Sequence, residues 1–133
     1  SVLILVSAFL CVVQNSYWKD EHTLWRHAVK VNPDSTWVQE TVALSYLLSD
    51  EFVKARSHAK KAIELNRYNS RAYLTLAKAE DRLGNLEEAL KYFELFKSFG
   101  FMEYPEDAAK VERYLPVLKE RVRKQKVLIN GSN

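Results

Sequence analysis

An all-α solenoid of antiparallel helix pairs is the fold class this sequence predicts, and three observations carry it. Small residues recur in phase at a step of 34: Ala28 and Ala62, Ala43 and Ala77, Ala55 and Ala89. Larger apolar residues keep the same step, in Val31, Leu65 and Phe99, in Phe52 and Leu86, and in Trp25, Ala59 and Phe93. A period of that length belongs to repeats made of one helix hairpin each. Only 3 Gly and 3 Pro interrupt 133 residues, of which 47% are apolar and 28% charged, a balance that suits long helices around one core.

The first element, Ser1 to Val13, is apolar all round, without the polar stripe of an amphipathic helix. Thirteen residues rise roughly 20 Å against the roughly 30 Å of a bilayer core, and Tyr17 and Trp18 stand where an interfacial aromatic belt would sit. Segment 1–14 therefore reads as the end of a transmembrane helix; a helix buried against the first repeat and a signal-peptide core are the alternatives. Beginning at Ser1 rather than Met, the chain reads as a fragment or a processed product.

Repeats are expected over 15–103. A half repeat spans 18–35, its helix from Trp18 to Val31 closed by Asn32-Pro33-Asp34, because proline cannot continue the ladder. The first full repeat spans 36–69. Thr36 and Gln39 have capping-box spacing, Ser49-Asp50-Glu51 makes the turn, and a second helix runs from Phe52 to Leu65. The second full repeat spans 70–103, with Gly84 as a left-handed cap and Asn85 and Glu88 opening its second helix. Phe52, Leu65, Leu86, Phe93, Phe96 and Phe99 are expected to fill the layers between helices. Pro105 with Glu106 and Asp107 starts a capping helix over 104–126, kinked near Pro116, and 127–133 is a fraying tail.

Charge is unevenly placed. The net charge is +3, yet seven basic residues against two acidic ones fall between Lys110 and Lys126. That stretch lacks the aromatic groups that single-strand binders interleave, so it reads as the solvated face of a terminal cap, with no nucleic acid as partner. A single cysteine, Cys11, excludes an internal disulfide framework and a thiolate metal site.

The phase of these positions resembles the tetratricopeptide repeat, TPR. Ala43, Ala55 and Ala62, then Ala77 and Ala89, match its small positions; Tyr46 matches its first-helix aromatic, and Gly84 and Leu86 its turn. Arg67 replaces the usual proline, Phe96 stands where Ala62 predicts alanine, and Val42 and Leu76 are followed by alanine rather than glycine. The resemblance covers Trp18 to Gly100. It implies a concave groove lined by the first helix of each repeat, here Trp37, Glu40, Thr41, Leu44 and Leu48, then Arg71, Leu74, Thr75, Lys78 and Arg82. Aromatic and Leu anchors beside Arg and Lys suit a protein or peptide partner with an acidic group; the alternative for Trp37 and Leu44 is packing beneath the preceding helix. The Lys and Asn clamp by which some TPR proteins hold a peptide C-terminus is missing, since Glu40, Leu44 and Leu74 occupy those places.

The entry segment is similar to another junction. Tyr17-Trp18-Lys19-Asp20, Leu24-Trp25, Ala28 and Asn32-Pro33 after an apolar helix end resemble multi-pass membrane proteins that carry TPR arrays beyond their last span, many of them protein O-mannosyltransferase relatives. That resemblance implies a membrane location with the repeats on the extracytoplasmic (periplasmic or lumenal) side.

No catalytic constellation, cofactor motif or metal site is legible. His22 and His27 stand five apart, off the spacing that puts two ligands on one helix face, and with His58 they read as surface histidines. No Gly-rich phosphate loop or Cys/His cluster occurs. Asn130-Gly131-Ser132 matches a glycosylation sequon. The expected function is a membrane-tethered scaffold for protein–protein interaction, not an enzyme; the alternative is a substrate-recruiting or regulatory domain of a membrane glycosyltransferase.

Overall fold

The computed structural model describes residues 23–131. The apolar run 1–14, Tyr17 and Trp18, His22 and Ser132 of the sequon lie outside the described residues. Among the described residues six helices succeed one another: α1 (23–31), α2 (Thr36–Leu48), α3 (Phe52–Leu65), α4 (Ser70–Arg82), α5 (Leu86–Gly100) and α6 (Pro105–Gly131). There is no strand among the described residues. Helix α2 pairs with α3, and α4 with α5; α3 then packs on α4, α5 on α6, and α2 touches α4. Helix α2 thereby lies beside α4, and Tyr114 and Arg121 of α6 reach Asp81 of α4, which sets α2, α4 and α6 along one side of a solenoid.

Alanine sets the spacing. Ala55 and Ala89 are each the fourth residue of their helix, and both are fully buried, as are Ala43, Ala59, Ala62 and Ala77. A methyl at each crossing lets helix axes approach to roughly 8–10 Å. Larger side chains fill the next layer, where Phe93, Phe96, Val111, Leu115 and Leu118 join α5 to α6. Phe99 does not belong to that layer. It lies at the surface, edge-on to Tyr68 at 5.9 Å and tilted against Tyr73 at 5.7 Å.

Both turns inside the repeats use one device. The N–H of Glu51 donates to the Tyr46 carbonyl at 2.9 Å and that of Asp50 to Leu47 at 3.1 Å; Asn85 to Glu80 and Gly84 to Asp81 repeat those bonds at 2.9 and 3.1 Å. This is the paired bonding of a left-handed helix cap. Gly84 adopts φ 84° without a side chain, whereas Asp50 holds φ 60° with one. Asp50→Gly should therefore stabilise the protein by about 0.5–1 kcal/mol in urea denaturation. An unchanged midpoint would show that the Asp50 side chain recovers the strain elsewhere.

Helix starts differ from the sequence expectation. Ser35, not Thr36, caps α2 by accepting from the Val38 N–H at 3.3 Å. The Thr36 hydroxyl instead donates to the Ala62 carbonyl at 2.8 Å and accepts from the Asn69 amide at 3.0 Å, so it ties α2, α3 and α4 together. Asn85 makes no side-chain cap; its amide donates to Glu80 at 2.6 Å. In both cases a partner from another turn of chain outcompetes the local bond.

The last helix also exceeds its expected length. It runs through Pro116 without interruption and takes in residues 127–131 of the expected fraying tail. Pro116 is exposed while Leu115 and Leu118 beside it are buried. The carbonyl that loses its partner on the solvent face can be hydrated, and packing of the inner face carries the helix on. Three of the seven basic residues tie α6 to the earlier helices: Lys119 to Glu94 at 3.7 Å, Arg121 to Asp81 at 2.8 Å, and Lys126 to Glu87 at 2.8 Å. Arg123 pairs with Glu120 within the helix.

Candidate functional site

The side formed by α2, α4 and α6 carries three recesses in a row. At the end where these helices begin, a cleft of about 430 Å³ lies between α2, α4 and the α5–α6 loop, and Trp37, Glu40, Tyr68, Arg71, Glu103 and Tyr104 line it. Trp37 is 59% exposed, with one edge against Trp25 at a ring separation of 6.0 Å, so it both packs on the preceding helix and faces the cleft. Glu40 and Arg71 are not free anchors. Their side chains meet at 3.2 Å, Glu40 is almost fully buried, and the Arg71 guanidinium lies over the Tyr104 ring at 5.9 Å.

The middle recess, of about 250 Å³, opens between α4 and α6. Leu74, Phe93, Val111 and Tyr114 form its apolar wall, with Lys78, Asp81, Asp107 and Lys110 around it. The Tyr114 hydroxyl donates to Asp81 at 2.5 Å, and Arg121 donates to the other Asp81 oxygen at 2.8 Å. Burial and then the Asp81 carboxylate push the Tyr114 phenol above its ordinary value, so it stays a donor. A third recess, of about 200 Å³, lies between α2 and α4 at their far end and includes Leu47, Phe52, Lys78 and Arg82. Arg82 rests over the Phe52 ring at 5.1 Å.

Six of the ten residues expected from the sequence line these recesses. Trp37, Glu40 and Arg71 share the first, Leu74 and Lys78 the second, Lys78 and Arg82 the third. Leu48 is 67% exposed beyond the third, Leu44 is half-buried, and Thr41 turns its hydroxyl to the Trp37 carbonyl at 2.8 Å. Thr75, only 4% exposed, lies beneath the surface rather than on it. Sequence reasoning missed Asp107, Lys110, Val111 and Tyr114, because it treated α6 as a cap. Their spacing at three, four and seven residues was the available signal for a third wall.

His58 is half-buried, not a surface residue: its Nδ1 lies 2.8 Å from the Gln39 amide oxygen, its ring stacks on Tyr46, and burial lowers its pKa below 6.5. Among the described residues no cluster of three or more metal-ligating side chains occurs.

Solved structures share this architecture. The chain is similar to the TPR domain of Arabidopsis OM64, with 21% identity, 77% of this chain and 84% of that one covered, and a TM-score of 0.67. It is also similar to the TPR2B domain of yeast Sti1 in its pHsp70 complex (17% identity, 82% and 88% covered, TM-score 0.70) and to the Yersinia enterocolitica type III secretion translocator chaperone SycD (14% identity, 84% and 78% covered, TM-score 0.75). No family model matches the sequence, and no curated protein sequence is significantly similar to it. The fold is that of a TPR domain.

Proposed function

We propose that this chain is an interaction module that holds a peptide segment of a partner protein along the α2–α4–α6 side and performs no chemistry of its own. One observation carries the reading: three recesses line up along those helices, with Trp37 and Leu48 exposed at the two ends of α2. Exposed anchors beside preformed clefts are where binding energy concentrates. The TPR2B domain of yeast Sti1, whose fold this chain shares, is a complex with an Hsp70 ligand. A different ligand is expected here, because Glu40 is committed to Arg71 and Leu44 and Leu74 offer no polar group for a terminal carboxylate.

Trp37→Ala should weaken a partner peptide by about 1–3 kcal/mol, measured by fluorescence anisotropy, with helicity unchanged. Unaltered affinity would move the site to another face. Arg71→Glu is a poorer probe than its exposure suggests, since it would set two carboxylates against each other beside Tyr104.

The proposal includes a membrane tether through residues 1–14, with the repeats on the extracytoplasmic side. Among the described residues no helix is long and apolar enough to cross a membrane. The support is the sequence of the run itself and of the Tyr17-Trp18 pair after it. The full chain should float with phosphatidylcholine vesicles and the chain lacking 1–14 should not; equal flotation would remove the tether from the proposal. Recruitment of substrate for a membrane glycosyltransferase is the alternative, supported by the resemblance of the entry segment alone.

A further inference from the structure

The recess between α4 and α6 has a chemistry that defines what part of a partner it takes. We propose that it accepts one large apolar side chain of a peptide that carries a carboxylate next to it, an inference that rests on the groove reading above. Its volume of about 250 Å³ falls below the roughly 300–1,000 Å³ of small-molecule sites, so its capacity is one side chain rather than a whole cofactor. Leu74, Phe93, Val111 and the Tyr114 ring give it an apolar wall.

The rim supplies the charge. Lys78 from α4 and Lys110 from α6 stand on opposite walls, and neither has a carboxylate within 4.0 Å among the described residues. Asp81 does not cancel them, because Tyr114 and Arg121 already occupy its two oxygens. Among the described residues Asp107 is the acidic side chain left at the rim, so with Asp81 paired to Arg121 the recess keeps a net positive charge.

The first cleft has the opposite balance, with Glu40 and Glu103 against Arg71. The groove is thereby polarised along its length. An acidic residue is favoured toward Lys78 and Lys110 and disfavoured near Trp37, which fixes the direction of the bound chain. Surface lysines screened by salt steer a partner, while the apolar wall retains it.

Selection of short random peptides displayed on phage against the full chain tests this. Recovered sequences should place Leu, Ile, Met or Phe beside Asp or Glu. In anisotropy with fluorescein-labelled copies, Lys78→Glu with Lys110→Glu should weaken binding by at least about tenfold, and more at low salt than at high. Lys124→Glu, a single charge reversal roughly 20 Å further along α6, should not, whereas Lys110→Glu alone should. Peptides that lack the acidic–apolar pair, or that lose affinity with Trp37→Ala but not with the lysine reversals, would overturn this assignment and leave the groove standing. Peptides indifferent to Trp37→Ala as well, or the recovery of none, would overturn both.

Discussion

Phe96→Ala should destabilise the protein by about 3–5 kcal/mol, read as a shift of the urea midpoint. Phe96 is fully buried between α5 and α6, with the Tyr104 ring 6.5 Å away. It stands at the repeat position that Ala62 holds one step earlier, and the next turn of α5 accommodates its size. Gly100, four residues on and thus on the same face, leaves room for the ring: a Cβ there would come 2.7 Å from Phe96 Cε2. The earlier repeat reverses the arrangement, with Ala62 succeeded at the same distance by Asn66. Gly100→Ala alone should therefore cost about 1–3 kcal/mol by overpacking. Added to Phe96→Ala, the same methyl should cost nothing or recover stability, because it enters the space the ring has left. Additive losses in the double variant would show that the two residues do not share that space.

Much of the fold was legible because a helix buries one face at a fixed period. Ala43, Ala55, Ala62, Ala77 and Ala89 were placed by phase alone, and all are fully buried. Gly84 was placed by the turn it must make, and its φ of 84° is the reason for it. What phase cannot give is the partner of a long polar side chain, since that depends on where a neighbouring helix happens to lie. Arg71 and Glu40 both belong to the groove face by register, yet they neutralise each other across two helices. Thr36 and Asn85 have the right spacing for caps and are drawn off by Ala62 and Glu80. Pro116 stands inside α6 without ending it, as a proline on the solvent face can when Leu115 and Leu118 beside it are buried. The third wall of the groove was hidden for the same reason. Reading α6 as a cap assigns its inner face to packing, and only the opening between α4 and α6 sets Lys110 and Tyr114 beside Lys78.

The ion pair between Arg56 on α3 and Glu80 on α4 should show how this solenoid tolerates charge inside a helix interface. Their side chains approach to 3.6 Å, with the carboxylate 4% exposed and the guanidinium 33%. The Asn85 amide donates to the other Glu80 oxygen at 2.6 Å, so the carboxylate is satisfied from two sides. Removing the cation leaves a buried anion with one neutral donor, whereas removing the anion leaves a cation that already reaches water. The two single variants should therefore be unequal. Arg56→Met is expected to cost about 3 kcal/mol in urea denaturation, and Glu80→Leu distinctly less. Combining them should recover most of the Arg56→Met loss, because an apolar pair of similar volume no longer has a charge to desolvate. If Arg56→Met were as mild as an exposed pair, at about 0–1 kcal/mol, water would have to reach Glu80 in the variant. The α3–α4 interface would then be looser than its burial implies, and the groove wall that α4 carries would lose its rigid backing.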